Sequence, residues 1–342
     1  MADTLAWVGD EYDSLHHNIL PFVDVGNNVR IVSMCSQKNT VCAALTSGQV
    51  KCWGENTEGN LGIGSTIHQG TSQDQMGDNL RAVNLPPGTI AVDVQCGTSH
   101  ACARTVDGRG FCWGDNLFKN LGFGSNEINY GDGVGVEPMG DAFPPINVGP
   151  NTIAQIATNK RATCILTTTG KVKCYSYYDP GYETGESNYE GGTEPPDMNF
   201  GTVAGTTLIE DIYAPTGTSM CVVFPNRNAK CWMNNEDNQL GNQAITGMYI
   251  GDEPGQMGDS LPLHSANTII RFVQHNSIPR MYAITGTEVY GQVAVWGNGY
   301  GDDANNPFYL ASYGNIYTLA STKAPVASTC IWSADTNDIR CV

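Results

Sequence analysis

Short runs rich in apolar residues recur along the chain, and most of them come in pairs around a tight turn that contains Gly or Asn. The two fullest copies read VCAALTSGQVKCWGEN over residues 41–56 and ACARTVDGRGFCWGDN over residues 101–116. Short apolar runs bounded by turn residues predict β-strands, and two such strands around a Gly-containing turn predict a β-hairpin. Similar hairpins are expected near residues 163–175, 220–232, 281–297 and 329–342.

The hairpins recur roughly every 57 residues, which is the 342-residue length divided by six. A period of this length, built from short strands and Gly turns, is typical of a solenoid or a propeller. It is not the pattern of an ordinary enzyme core. We therefore expect one repeat domain rather than the two domains that the length alone would suggest.

Most cysteines occupy matching positions in these hairpins. They form the pairs Cys42/Cys52, Cys102/Cys112, Cys164/Cys174, Cys221/Cys231 and Cys330/Cys341. In the first four pairs an odd number of residues lies between the cysteines, so the two side chains should face each other directly, with Cβ atoms about 4.5 to 5.5 Å apart. We predict a disulfide in each of the five hairpins, because zinc sites favour cysteines closer in sequence.

The fifth unit keeps the hairpin and lacks the cysteines. Val295 stands where the other units carry their second cysteine, and the first cysteine is missing as well. Loss of both residues together is expected if they are partners in the other units.

The turns of these hairpins should not all be alike. Gly48, Gly108 and Gly170 each close a three-residue turn at the position where a left-handed backbone favours Gly. Residues 225–227 (Pro-Asn-Arg) lack the Gly, and the last cysteine pair spans one extra residue. We expect these two turns to differ in detail from the others.

Cys35 and Cys96 stand outside the hairpin pairs. Each precedes the first hairpin cysteine by a similar distance, 42 − 35 = 7 and 102 − 96 = 6 residues. They therefore occupy nearly equivalent places in adjacent units. A disulfide between units is the economical prediction, and two buried free thiols are the alternative.

The sequence around the hairpins carries a recognisable motif. Cys-Trp-Gly-Xaa-Asn is followed by NLGIGS at 60–65 and by NLGFGS at 120–125, and GTSHACA precedes the second hairpin at 97–103. This sequence resembles the repeat of the regulator of chromosome condensation family. It is most similar to the Cys-containing bacterial and algal members, whose units carry an acidic insert, found here at 75–80, 138–141 and 251–262.

The resemblance implies a β-propeller of four-stranded blades, commonly seven. Because six hairpins are found, we predict an all-β, single-ring β-propeller over residues 1–342 with six blades, and seven blades as the alternative. Residues 5–10 include Trp7-Val8-Gly9-Asp10, which resembles the Trp-Gly-Asp-Asn continuation that the last hairpin lacks. We predict that this N-terminal segment completes the last blade and closes the ring.

Charge and cysteine content restrict the partners and the location. The net charge is −17 and no Lys or Arg cluster is present, which argues against nucleic acid and against anionic membranes. No stretch is apolar enough to be inserted in a membrane. Paired cysteines predict an oxidising location, at the cell surface, outside the cell or in a virion, although no signal peptide is visible after Met1.

The sequence contains no hydrolase elbow, zinc-protease helix motif or phosphate-binding loop, so we predict no catalytic residues, no cofactor and no enzymatic activity. His100 lies where the family repeat commonly has histidine and should make a structural hydrogen bond between blades. A calcium site in the acidic inserts is one hypothesis, and its candidate ligands are Asp132, Glu137, Asp141, Asp252, Glu253 and Asp259. The favoured interpretation is a repeated packing device, in which Met fills a gap and Asp caps a turn.

Aromatic residues outside the repeat positions are candidates for binding loops, because loops on rigid scaffolds carry function and Tyr is enriched at binding hot spots. They are Tyr177, Tyr178, Tyr182 and Tyr189 in unit three, and Tyr300, Phe308 and Tyr309 in unit five. The alternative is that degenerate units use aromatic residues as filler.

Together these features predict a disulfide-braced structural or protein-interaction module in an extracellular, cell-surface or virion-associated assembly. Its partners would be proteins or assembly neighbours, with a glycan as a further candidate. A soluble secreted binder or inhibitor is the second hypothesis, and a glycan-processing enzyme is the third.

Overall fold

The computed structural model describes residues 23–37, 39–124, 127–134, 139–177, 181–182, 193–240, 248–264, 268–273, 280–286, 290–297, 308–314, 316–321, 329–333 and 338–341. Sheet one consists of β1 (Ile31–Gln37), β2 (Thr40–Leu45) and β3 (Val50–Gly54), and sheet two of β4 (Ala91–Cys96), β5 (His100–Thr105), β6 (Gly110–Asp115) and β7 (Asn129–Tyr130). Sheet three consists of β8 (Ile153–Thr158), β9 (Thr163–Thr167) and β10 (Val172–Tyr175), and sheet four of β11 (Asp211–Thr216), β12 (Ser219–Val223), β13 (Ala229–Asn234) and β14 (Tyr249–Ile250). Sheet five consists of β15 (Ile269–Val273), β16 (Arg280–Gly286), β17 (Tyr290–Gly297) and β18 (Phe308–Gly314), and sheet six of β19 (Ile316–Ser321), β20 (Thr329–Ser333) and β21 (Asp338–Cys341).

All six sheets are antiparallel, and each is built from strands that follow one another in sequence. Helical structure in the described ranges is limited to single 3-10 turns at Gln73–Gln75, Gly77–Asn79 and Gly140–Ala142. The all-β fold of antiparallel repeat sheets is therefore confirmed. The number of blades, the single domain and the closure of the ring stay predictions, and residues 5–10 lie outside the described residues.

Each of the first four sheets packs on the next sheet along the chain. The first strands come close to one another in succession, because β1 contacts β4, β4 contacts β8, β8 contacts β11 and β11 contacts β15. This is the arrangement expected when sheets radiate from a common axis with their first strands innermost, as in a propeller.

The hydrophobic core lies between the sheets. One buried cluster joins sheets one to three and another joins sheets three to five. Sheet three contributes to both by alternation, since Cys164 and Leu166 belong to one cluster and the intervening Ile165 belongs to the other.

A β-bulge recurs near the start of the first strand in sheets one, two, three, five and six. The residue after the bulge is polar in all five of these sheets, and in the first three it is Ser33, Asp93 and Gln155. Ser33 Oγ donates to Asp93 Oδ1 at 2.6 Å, and the amide of Ile212 donates to Gln155 Oε1 at 3.0 Å. These bonds tie the first strand of one sheet to the first strand of the next.

The hairpin turns confirm the Gly prediction and correct the prediction for the fourth unit. Gly48, Gly108 and Gly170 have φ angles of 84°, 79° and 75°. Arg227 occupies the same position with φ 65°, and its amide donates to Phe224 O at 2.8 Å, as the Gly48 amide donates to Leu45 O. The expectation that this turn differs was wrong, because Arg227 takes the left-handed conformation that Gly takes elsewhere.

Candidate functional site

Four hairpin disulfides are present as predicted, at Cys42–Cys52, Cys102–Cys112, Cys164–Cys174 and Cys221–Cys231. Their Cα atoms are 4.1 Å apart in each hairpin. In the first hairpin the Leu45 amide donates to Gln49 O at 2.9 Å, and bonded and non-bonded pairs alternate along the ladder. Cys42 and Cys52 are therefore one of the closer, non-hydrogen-bonded pairs, which suits a bridge across the strands.

The hairpin disulfides lie in the interfaces between sheets. Cys102 Sγ is 3.8 Å from Thr163 Oγ1 of sheet three, and Cys221 Sγ is 3.9 Å from Met281 Sδ of sheet five. All eight of these cysteines are at most 2% exposed. The bridges of the second and fourth hairpins thus brace their own hairpins and also fill space against the following sheet.

Cys35 and Cys96 form a disulfide between sheets one and two, with Cα atoms 5.5 Å apart. Cys35 lies opposite Cys42, the first hairpin cysteine of sheet one. In sheet two the residue opposite the first hairpin cysteine is Gln95, and Cys96 is the next residue along the strand. Successive side chains of a strand point to opposite faces. The one-residue difference therefore turns Cys96 back toward sheet one, so that it meets Cys35, and the prediction of a disulfide between units is confirmed.

In the two remaining hairpins the strand register places the predicted cysteine positions directly opposite each other. Cys330 lies opposite Cys341, and Tyr282 lies opposite Val295 at the positions that carry cysteines elsewhere. The side chains of Cys330 and Cys341 lie outside the described residues, so their disulfide stays a prediction, as does the form of their turn.

Buried lysines were missed by the sequence analysis. Lys51, Lys173 and Lys230 each stand one residue before the second hairpin cysteine and are 3 to 7% exposed. Their recurrence before Cys is visible in the sequence, but a charged residue at a core position of a strand gives no sign of its partner.

Two of these lysines are held by the acidic inserts. Lys51 Nζ donates to Gly77 O and to Val25 O, both at 2.9 Å, and Lys230 Nζ donates to Gly258 O and to Phe200 O, both at 2.8 Å. Gly77 and Gly258 are the central residues of Met-Gly-Asp. Each insert therefore folds back and supplies one of the two backbone carbonyls that satisfy a buried ammonium group.

The aspartate of the insert binds the segment that enters the same sheet. Asp78 Oδ1 accepts the Asn27 amide at 2.9 Å, and this bond lowers the pKa of Asp78. Asp259 Oδ1 accepts the Thr202 amide at 2.8 Å in the same way. These contacts fit the packing hypothesis for Met-Gly-Asp, together with Met257, which is 5% exposed.

Sheets two and three depart from this scheme. In sheet two the lysine position holds Phe111, whose ring lies 5.4 Å from that of Phe143. In sheet three Lys173 Nζ contacts Glu194 Oε1 at 3.0 Å and Asp197 Oδ1 at 2.9 Å. Burial opposes the charge of Lys173, and the two carboxylates reverse that effect and raise its pKa.

The calcium candidates are distributed rather than gathered. Asp132 Oδ1 accepts the Val134 amide at 2.8 Å, and the Glu253 amide donates to Gln256 Oε1 at 3.2 Å. Asp141 and Asp252 lie on separate inserts, and Glu137 lies outside the described residues. Within the described ranges, no three His, Cys, Asp or Glu side chains are placed to hold a metal ion. The calcium hypothesis stays a prediction.

His100 joins sheets two and three, as predicted. Its Nε2 is 2.9 Å from Thr163 Oγ1, and the side chain is buried. Burial lowers the pKa of His100 to about 3, and it lowers the pKa of the buried His264 to about 3 as well. Both histidines are therefore neutral near pH 7.

The ends of the sheets where the third strands finish carry long loops, and we call their described parts, residues 55–68, 115–124, 127–134, 177, 235–240 and 248–253, the loop face. A buried asparagine organises each of three loops. Asn56, Asn116 and Asn235 use Oδ1 to accept the amide five residues ahead, at 2.8, 3.3 and 3.1 Å. They are the final residue of the Trp-Gly-Xaa-Asn motif or its equivalent, which explains why that residue recurs.

The aromatic binding candidates fall into three groups. Tyr177 belongs to the loop face and is 42% exposed. Tyr182 is half-buried, and its hydroxyl accepts the Cys174 amide at 2.8 Å. Tyr178, Tyr189 and Tyr300 lie outside the described residues, as do the side chains of Phe308 and Tyr309. A binding role for all seven stays a prediction.

No helix in the described part of the chain is both long and apolar enough to cross a membrane.

Comparison with known proteins finds similarity to RCC1 repeat proteins. The family profile described as "Regulator of chromosome condensation (RCC1) repeat" matches residues 91–119. Protein pim1 of Schizosaccharomyces pombe is 30% identical over 109 residues, covering 31% of this chain and 20% of that protein. The mitochondrial RCC1 domain-containing protein RUG3 of Arabidopsis thaliana is 28% identical over 217 residues, covering 61% of this chain and 44% of that protein. The chain thus spans less than half the length of either relative.

Solved structures show the same fold at low sequence identity. Human WBSCR16 has a TM-score of 0.63 at 16% identity, with 92% of this chain and 78% of that chain covered. Yeast RCC1 (Prp20), solved with Kap60, has a TM-score of 0.58 at 15% identity, with 90% of this chain and 70% of that chain covered. The chain thus carries a match to the RCC1 repeat at residues 91–119, is similar over part of its length to RCC1-type repeat proteins, and shares the fold of solved RCC1-type structures.

Proposed function

We propose that this chain is a non-enzymatic, disulfide-braced module that binds protein partners or assembly neighbours in an extracellular, cell-surface or virion-associated setting. The observation that carries the proposal is the set of five disulfides, four within hairpins and one between sheets. Disulfides form and persist in oxidising compartments and are rare in reducing ones.

A protein partner is supported by what a protein of the same fold, yeast RCC1 (Prp20), binds. The yeast RCC1 structure was solved bound to Kap60, and a second study of that protein concerns its binding to Gsp1p and histones. A propeller scaffold presents loops of several sheets on one surface, which suits recognition of a protein.

A binding role rather than catalysis is supported by how the buried ionisable side chains are used. Lys51 and Lys230 are held by backbone carbonyls, Lys173 is paired with carboxylates, and His100 is bonded across a sheet interface. These groups are committed to the scaffold. General acids, bases and nucleophiles instead need access to a substrate.

The test has two parts. Protein taken from its native source should be alkylated without reductant and digested, and we expect linked peptides for Cys35–Cys96 and for the hairpin pairs. Free thiols at these cysteines would contradict the oxidising location. Chemical crosslinking of the same material should then join the chain to other proteins, whereas a monomer without crosslinked partners would contradict the interaction module.

A further inference from the structure

The loop face is one continuous surface across the first three sheets. The Gly64 amide in the loop of sheet one donates to Gly131 O in the loop of sheet two at 3.0 Å. The Tyr177 amide, which follows sheet three, donates to Phe118 O in the loop of sheet two. Backbone bonds between adjacent loops fix their relative positions, so a partner would meet a preformed surface.

Three apolar side chains stand out from this face at equivalent positions. Ile67, Ile128 and Met248 are 63, 63 and 71% exposed. Single exposed apolar residues are normal on a protein surface, but recurrence at one position of three units is a pattern. Leu117, Val134 and Tyr177 add exposed apolar surface at other positions of the loop face, and they are 59, 65 and 42% exposed.

The buried asparagines hold the backbone of the three residues in place. The side-chain Nδ2 of Asn56 donates to Ile67 O at 3.1 Å. The backbone N–H groups of Asn116 and Asn235 donate to Ile128 O at 2.6 Å and to Met248 O at 2.8 Å. An apolar side chain on an anchored backbone loses little conformational entropy when it binds, which favours affinity.

The same face is rich in carboxylates. Its acidic residues are Glu55, Glu58, Asp115, Glu127, Asp132, Glu236, Asp237, Asp252 and Glu253. Lys119 is the basic residue of the described loop face, and the adjoining β8–β9 turn adds Lys160 and Arg161. The net charge of the chain, −17, has the same sign as this face.

From this combination we infer that the loop face is the docking surface for a basic protein segment with apolar side chains that contact Ile67, Ile128 and Met248. The inference rests on the proposed interaction function and specifies its surface and its partner. Carboxylates steer a cationic partner and set specificity, while burial of the apolar residues provides the larger part of the binding free energy. Two copies meeting through this face would bring like charges together, so self-association here is disfavoured.

The first experiment uses a fluorescein-labelled peptide of alternating lysine and leucine as the probe, with fluorescence anisotropy as the readout. The triple variant Ile67→Ser, Ile128→Ser, Met248→Ser should bind the peptide at least about tenfold more weakly. The control is Ile90→Ser, Val106→Ser, Leu208→Ser, whose residues are 51, 66 and 50% exposed at the hairpin-turn end of the sheets. This control should bind within about twofold of the unchanged protein.

Charge is tested in the same assay. The triple variant Glu127→Lys, Glu236→Lys, Glu253→Lys and an increase in salt should each weaken binding, because both reduce the attraction to a cationic peptide. Matched peptides with glutamate in place of lysine, or serine in place of leucine, should bind at least about tenfold more weakly. Equal loss in the hairpin-end control, or equal binding of the matched peptides, would overturn the inference.

The second experiment separates failure of the surface from failure of the proposed function. A photoreactive phenylalanine analogue replaces Ile67 or Ile128 on the loop face, or Val106 or Leu208 at the opposite end, in the full chain in its native source. Crosslinks from the loop-face positions to a Lys- or Arg-rich segment of another protein would support the inference. Crosslinks from the opposite end alone, or from the loop face to a second copy, would overturn it and leave an interaction function in place. Crosslinks from neither end would overturn both.

Discussion

Cys35 and Cys96 are joined across the gap between sheets one and two although their positions in the two sheets differ by one residue. The bridge spans 61 residues of sequence, whereas each hairpin bridge spans 10. In the chain-entropy description a longer closed loop removes more freedom from the unfolded chain. The bridge between sheets should therefore stabilise the fold more than any single hairpin bridge.

We predict that Cys35→Ser/Cys96→Ser lowers the free energy of unfolding by about 4 kcal/mol and that Cys42→Ser/Cys52→Ser lowers it by about 3 kcal/mol. Urea denaturation of the two double variants beside the unchanged protein measures both values. A larger loss in the hairpin variant would show that packing of its bridge against the following sheet, not loop length, sets the contribution.

The fourth hairpin turn offers a stabilising substitution. Arg227 holds a left-handed backbone with φ 65°, which costs a residue with a side chain about 1 to 2 kcal/mol. Arg227→Gly should raise the free energy of unfolding by about 1 kcal/mol, after loss of the half-exposed pair between Arg227 and Glu210.

The reverse exchange at the matching position is the control. Gly170 has φ 75° in the same kind of turn, so Gly170→Arg should lower the free energy of unfolding by about 1 kcal/mol. Thermal and urea denaturation check both variants. If both substitutions shift stability in the same direction, backbone conformation does not control the effect.

These comparisons show what a sequence of repeats can and cannot reveal. The hairpin disulfides could be predicted because the spacing of two cysteines around a turn determines whether they face each other across a hairpin. The conformation of residues 225–227 could not, because the strands on either side impose the turn and override the preference of Arg227. The insert partners of Lys51 and Lys230 were also hidden, since they are backbone carbonyls that lie 26 and 28 residues ahead.

Lys230 should be required for stability even though it is a charged residue in the core. Lys230→Met removes the donor to Phe200 O and Gly258 O and leaves both carbonyls buried without it, so we expect a loss of about 2 kcal/mol. Lys171→Met, at a half-buried position of the same chain, is the control and should change stability by less than about 0.5 kcal/mol. Equal stability of the Lys230 variant and the unchanged protein in urea would mean that the apolar side chain compensates, as Phe111 does in sheet two.

Acid should destabilise the fold through its buried histidines. The pKa of His100 is about 3 in the folded protein and near 6.5 when unfolded, so between these values the unfolded state binds a proton that the folded state does not. The free energy of unfolding therefore does not depend on the titration of His100 above pH 6.5. As the pH falls from 6.5 toward 3, it decreases by about 1.4 kcal/mol per pH unit.

The measurement compares His100→Gln with the unchanged protein at several pH values. At pH 7 the variant should be less stable, because it loses the bond to Thr163 Oγ1. The difference should shrink toward pH 5, since the variant lacks the titrating group. The same substitution at the exposed His68 is the control, and a difference at His100 that stays constant with pH would contradict the prediction.

The face of β1 that points away from sheet two tests whether the ring closes. Met34 is 60% exposed, whereas the residues at the equivalent position of the next three sheets, Val94, Ile156 and Ile212, are at most 2% exposed because the preceding sheet covers them. If sheet six covers β1 in the same way, Met34→Asp should cost about 2 kcal/mol or more, as Val94→Asp should. A monomer by light scattering together with this loss would support closure within one chain. A loss that appears only in a dimer would assign the cover to a second copy, and a change below about 0.5 kcal/mol would mean that the ring is open at β1.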